Sequence, residues 1–312
     1  MNRRAKSLWV IVTAGLISAV AGIGAAQAAD WSDTFIGFRY GQTYKEPEPG
    51  RGAGGPFVQA AQGNIAKEII SLTHASGYAY GSNFFNVDML KSNTHDSAND
   101  LSSGCDTGNC GQGGATEVYV VYRHTLSMGK IFKVNLGNPV FNDVGITGGF
   151  DFNAKSGGID PTVQKWLIGP SLAMKVPAGF WNVGIMLYHE HNHNQFGGFG
   201  ASPSATSFTF KDTYQLTTSW LIPLPIPAVS VAFKGFSSFT GTKGHDYNNN
   251  PTRPEWLTEA ALMFDVGRYA GKKDTFFIGP GYQYWNNKFG TDHTQWSGSN
   301  ASVWQIEAEA HF

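Results

Sequence analysis

The last residues of the chain alternate without a break. Trp304, Ile306, Ala308, Ala310 and Phe312 share one face, while Gln305, Glu307, Glu309 and His311 share the other. Successive strand residues point to opposite sides, so a period of two specifies a strand with one apolar and one polar face. The pattern recurs. Val118, Val120, Tyr122 and Leu126 oppose Glu117, Tyr119, Arg123 and Thr125. Near the start, Ile36, Phe38, Tyr40 and Tyr44 oppose Gly37, Arg39, Gly41 and Thr43. A soluble β-sandwich would carry charged residues on its outward face; these faces carry Tyr, Phe, Val and Trp.

Twelve such segments are predicted, at about 34–45, 66–76, 82–91, 116–127, 143–154, 164–176, 181–193, 208–221, 228–239, 255–266, 274–286 and 302–312. The links alternate as well. Those at 46–65, 92–115, 194–207, 240–254 and 287–301 are long and rich in Gly, Asn, Ser, Asp and Pro, whereas 176–180 and 223–227 are short. An even strand number with long outer loops and tight inner turns is the pattern of a single-chain membrane barrel. The link near 155–163 is short for an outer loop, and 128–142 is long for an inner one. The expected fold is therefore all-β, a transmembrane antiparallel β-barrel of twelve strands occupying 29–312 and located in the bacterial outer membrane. Its C-terminal Phe312 resembles the terminal signature of such barrels.

Residues 1–28 read as a cleaved signal peptide. Arg3, Arg4 and Lys6 precede an apolar stretch from Leu8 to Ala26, and Ala26-Gln27-Ala28 offers small residues for cleavage. An uncleaved anchor helix is the alternative. Charged residues make up only 14% of the chain, with 22 Lys and Arg against 23 acids. Removal of the leader leaves 19 cations against 23 acids, a net charge of −4. No basic excess exists for a nucleic-acid polymer. Cys105 and Cys110 are the only cysteines. In an oxidising compartment they are expected to form a disulfide, because four intervening residues do not match a redox motif.

Several stretches resemble the Tsx-type nucleoside-specific channels of the bacterial outer membrane. Asn83-Phe84-Phe85-Asn86-Val87-Asp88-Met89-Leu90 is similar to an early aromatic strand of that family. Thr125–Lys130 followed by Gly137–Val144 resembles its long inner connection, and Asp212–Gln215 through Trp220–Leu224 its eighth strand and turn. The Cys-bearing loop and the Gly- and Asn-rich loops depart from the family's pattern. The resemblance implies a twelve-stranded monomer that passes nucleosides or similar small polar solutes by diffusion. A general porin, receptor or adhesin is the alternative.

A pore for nucleosides needs aromatic faces for the base and carboxylates or amides for sugar hydroxyls. Charges on strands belong inside, since the lipid face excludes them. The candidate pore-lining residues are Arg39, Glu68, Phe84, Asp88, Glu117, Tyr119, Arg123, Asp151, Lys165, Lys211, Glu259 and Trp285, with Tyr188, Glu190, Asp265, Glu307 and Glu309 by the same parity. The same residues would equally serve as ion pairs bracing the wall. His189, His191 and His193 share the parity of Val183, Ile185 and Leu187, which puts them outward in a splayed row. Zinc needs converging ligands, so no metal and no cofactor is expected. His74 and His124 are isolated, and no nucleophile–base constellation accompanies them, so no enzyme is expected. The expected partners are small polar solutes, outer-membrane lipid, and the barrel-assembly machinery through the last strand.

Overall fold

The computed structural model describes residues 29–47, 64–96, 114–156, 161–193, 206–226, 229–246 and 249–312. The expected signal peptide at 1–28 and the expected disulfide between Cys105 and Cys110 lie outside these residues. Among the described residues thirteen strands follow one another: β1 (Trp31–Tyr44), β2 (Ile65–Tyr78), β3 (Gly81–Ser92), β4 (Thr116–Ser127), β5 (Phe141–Lys155), β6 (Thr162–Met174), β7 (Phe180–His193), β8 (Ser207–Thr209), β9 (Thr213–Leu224), β10 (Val231–Thr240), β11 (Glu255–Asp265), β12 (Phe276–Asn286) and β13 (Asn300–His311).

Every long strand pairs antiparallel with its neighbours. β1 closes on β13 and β6 on β7, so the ladder has no open edge. The wall has twelve staves, because β8 and β9 share one. Both pair with β7, at His191–His193 and Phe180–Tyr188 respectively. The stave is broken at 210–212, where Phe210 turns inward and is buried. Its N–H donates to the Glu190 carbonyl at 3.0 Å, and the Lys211 N–H to that of Lys243 at 3.1 Å. The two backbone donors thus find acceptors although the ladder is interrupted.

Parity sorts the side chains. Ile36, Ile70, Leu72, Ile146, Ile168, Ile185, Leu187, Leu216, Leu262, Ile278 and Ile306 point outward and are exposed. Toward the outer end of this band lie Trp166, Trp256 and Trp304, and toward the inner end Trp181 and Trp220. An aliphatic band between aromatic girdles is how a barrel meets a bilayer. Among the described residues no helix is long and apolar enough to cross a membrane; the strands do that.

Three local details depart from the plain alternation. A bulge between Gly41 and Tyr44 slips the β1–β2 register by one place. Tyr44 therefore turns inward and is buried, against the outward face its spacing from Tyr40 predicts. The long inner link holds a short helix, α1 (Met128–Phe132), capped by the Ser127 hydroxyl accepting from the Lys130 N–H at 3.1 Å. Asp143 ties that link down, accepting from the Gly129 N–H at 3.0 Å and from the Ser127 hydroxyl.

Candidate functional site

Twelve staves enclose a lumen whose lining is the inward parity of each strand. Register places Arg39, Asp88, Glu117, Tyr119, Arg123, Asp151, Lys165, Glu259 and Trp285 on that inner face, together with Phe84. Two of the candidates lie elsewhere. Glu68 pairs with Tyr40 and shares the parity of Ile70 and Leu72, so it points outward near the outer rim, opposite Lys91. Lys211 is exposed in the break between β8 and β9, where the strand parity that placed it no longer holds.

At mid-height Arg39 reaches in two directions. Its guanidinium lies 2.5 Å from Asp88 on β3 and 2.5 Å from Glu259 on β11. Those strands lie on either side of β1, two and three places away, so the guanidinium joins staves five apart rather than a ladder neighbour. Gln283 donates to Glu259 at 2.5 Å, and Thr73 to Asn86 at 2.7 Å, which donates in turn to Asp88 at 2.9 Å. Both carboxylates therefore have several donors. Lys234 forms ion pairs with Glu309 and, at 3.4 Å, with Glu307.

The β4–β6 wall carries a second network. Arg123 donates to Asp151 at 2.6 Å and to the carbonyls of Tyr122 and Phe150 at 2.9 and 3.0 Å. Tyr119 donates to Asp151 at 3.0 Å and accepts from Lys165 at 3.1 Å. Glycines make room for inward side chains on this wall and on β12. A Cβ at Gly149 would sit 2.9 Å from Arg123 Cδ, and one at Gly281 only 2.0 Å from Glu307 Oε1. A hydroxyl ladder, Thr125 to Thr147 to Ser171, continues across the same wall in steps of 2.8 Å.

The outer tier is packed by its loops. Tyr44, Ile65, Ile69, Ala301 and Val303 form a buried apolar cluster inside the barrel, with Leu90 and Trp285 against it. Glu46 sits among three ammonium groups, Lys67 at 2.5 Å, Lys288 at 2.9 Å and Lys155 at 3.5 Å. Burial alone would raise the Glu46 carboxyl; Lys155, Lys288 and Lys67 instead hold it well below the usual carboxylate range. Burial and Lys67 push the Lys288 ammonium below its ordinary value against the pull of Glu46. Across the mouth, Lys243 meets Glu190 at 2.6 Å and lies over the Phe210 ring at 4.3 Å. Tyr188 and Asn192 donate to the same carboxylate.

Phe84 and Phe236 are inward aromatics with open surroundings, 40% and 38% exposed, set back from the strand ends where Trp31 and Phe180 share the inward parity. Phe84 on β3 and Phe236 on β10 stand six staves apart in a ring of twelve, and so on opposite walls. Phe236 and Lys234 escaped the reading of the sequence, although their spacing of two from one another was the available signal. The loop cations Lys243 and Lys288 left no such signal, because loop side chains have no parity.

The His189–His191–His193 row points outward as expected, each ring beside a neighbour on β8 or in the break: Asp212, Thr209 and Ser207. Among the described residues no cluster is suited to hold a metal ion. His74 and His124 also face outward, sharing hydrogen bonds with Thr34 at 2.7 Å and Asn83 at 2.8 Å.

No family model matches the chain, and no curated protein matches it. Among solved structures, the translocator domain of the autotransporter NalP from Neisseria meningitidis is 11% identical, with a TM-score of 0.40 over 97% of this chain and 96% of that one. The NanC porin is 10% identical, with a TM-score of 0.42 over 90% and 99%. OprB from Pseudomonas putida is 10% identical, with a TM-score of 0.30 over 97% of each. Likenesses at this level lend nothing to a functional reading. The closed ladder and the apolar band between aromatic girdles decide the matter on their own. This chain is an outer-membrane β-barrel.

Proposed function

We propose that the barrel is a passive channel for small, uncharged polar solutes, nucleosides foremost, in keeping with the resemblance to Tsx-type channels. The observation that carries this reading is the mid-lumen lining. Its formal charges are gathered into pairs, as at Arg39, Asp88 and Glu259, while Phe84 and Phe236 leave exposed ring faces on opposite walls. Satisfied ion pairs offer little to an ion that must shed its water. Ring faces and hydroxyls suit a solute with a flat base and a sugar. The same reading assigns the barrel no enzymatic role.

The packed outer tier favours a second reading, a receptor or adhesin barrel with little conductance. Planar-bilayer recording on the purified protein separates the two. The channel reading expects stepwise conductance that adenosine and thymidine block saturably, and that a sugar of similar size leaves untouched. Conductance indifferent to all three would reduce the function to a general porin. Absence of conductance would favour the receptor.

A further inference from the structure

The outward face carries a groove near its inner end, where β13 runs between β1 and β12. Ala308 pairs with Phe38 and Ile278, and Ala310 with Ile36 and Phe276. Two methyl groups thus form a floor between four large apolar side chains, across two strand spacings or roughly 10 Å. The hollow measures about 590 Å³.

Val266 lies at the end of this groove and begins the turn that leads to Phe276, its N–H donating to the Phe276 carbonyl at 2.9 Å. That turn carries Arg268, Lys272 and Lys273 within a few residues, and Tyr269 stands 75% exposed beside them. Among the described residues none of the three cations forms an ion pair. Asp265 is buried and turned to the backbone, accepting from the N–H groups of Arg268 and Asp274 at 3.1 and 3.2 Å.

Hydrocarbon covers this face of a membrane barrel, so an apolar hollow here takes an acyl chain. Cations at the headgroup level attract anionic lipid, and an exposed Tyr is at home there. We propose that the groove and the 266–275 turn form a site for one anionic glycerophospholipid of the inner leaflet. An acyl chain lies over Ala308 and Ala310, and the phosphate meets Arg268, Lys272 and Lys273. The proposal needs the barrel in its membrane and is independent of what passes through the lumen.

Native mass spectrometry of the full barrel, released from detergent with phosphatidylglycerol and phosphatidylcholine of identical chains, tests it. One phosphatidylglycerol should be retained with about tenfold preference or more, as three cations near an anionic headgroup imply. The Arg268→Gln/Lys272→Gln/Lys273→Gln variant should retain both lipids equally. Ala308→Leu/Ala310→Leu, which fills the groove, should lose both, with an unchanged unfolding midpoint reporting that the barrel is intact. Equal retention by the wild type, a preference surviving the charge variant, or retention surviving the filled groove would each overturn the site. So would full competition by glycerol phosphate alone, or a dimer that the filled groove abolishes.

Discussion

Arg39 illustrates what a single inward charge does in this wall. With side-chain exposures of 15–17% for Arg39, Asp88 and Glu259, the trio is part-buried, and each carboxylate leans on the same guanidinium. Arg39→Leu removes one cation from two acids. Breaking a buried pair from one side costs ~3–5 kcal/mol, because the charge left behind has lost its partner. The expected result is a lower unfolding midpoint in detergent, read by the heat-dependent gel shift, together with a reversal potential moved toward cations. Adding Asp88→Asn and Glu259→Gln should restore most of the stability; if it does not, the loss comes from packing and not from charge. At this scale the inward position of Arg39 was legible from its alternation with Phe38 and Tyr40. Its partners were not, since a side chain that reaches two and three strands away obeys no local spacing.

At the scale of elements, the outer cap depends on a residue just past the end of β1. Glu46 joins Lys67 on β2, Lys155 on β5 and Lys288 in the loop after β12, so one carboxylate ties four elements together. Glu46→Gln leaves three ammonium groups around a neutral amide. Their repulsion should loosen the cap, seen as faster hydrogen exchange in the outer ends of β2 and β5 and, in a channel, as larger conductance. The pH dependence follows from the depressed Glu46 carboxyl. A group lowered on folding contributes stability above its unfolded pKa and loses it as pH falls through the folded value. The cap should therefore hold from neutral pH down through the ordinary carboxylate range and open only in stronger acid. Loosening near pH 6 would rule out Glu46 as the group that holds it. Strand positions were legible here to within a few residues. The bulge before Tyr44 and the break at 210–212 were not, because each is fixed by what the turned side chain packs against.

Across the whole molecule the charge is unevenly placed. Neither Lys nor Arg occurs on β11, β12 or β13, yet Glu255, Glu259, Asp265, Glu307 and Glu309 all point inward from β11 and β13. Arg39 and Lys234 reach toward this acidic wall from either side. An aqueous path along an acidic wall enriches cations, so any residual ion current should favour potassium over chloride. A reversal potential measured across a salt gradient checks this, and a preference for chloride would mean that the path runs along the β4–β6 wall instead. The sign was not readable from the net charge of the chain, which says nothing about which wall holds the acids.

By itself the sequence determined the twelve staves and the face that most strand residues present, because a period of two is a local property that every strand repeats; Tyr44, Glu68 and Lys211 are the departures. It determined the membrane as well, since the outward parity is apolar through the middle of the ladder and carries Trp toward its ends. Only the tertiary structure decided which charges meet, which loops enter the mouth and where the lumen is filled. Those outcomes depend on curvature, on the join of β1 to β13 and on side chains from strands far apart in the chain. Closing the ring brings Arg39 to Glu259 across 220 residues, a contact that no spacing in the sequence encodes.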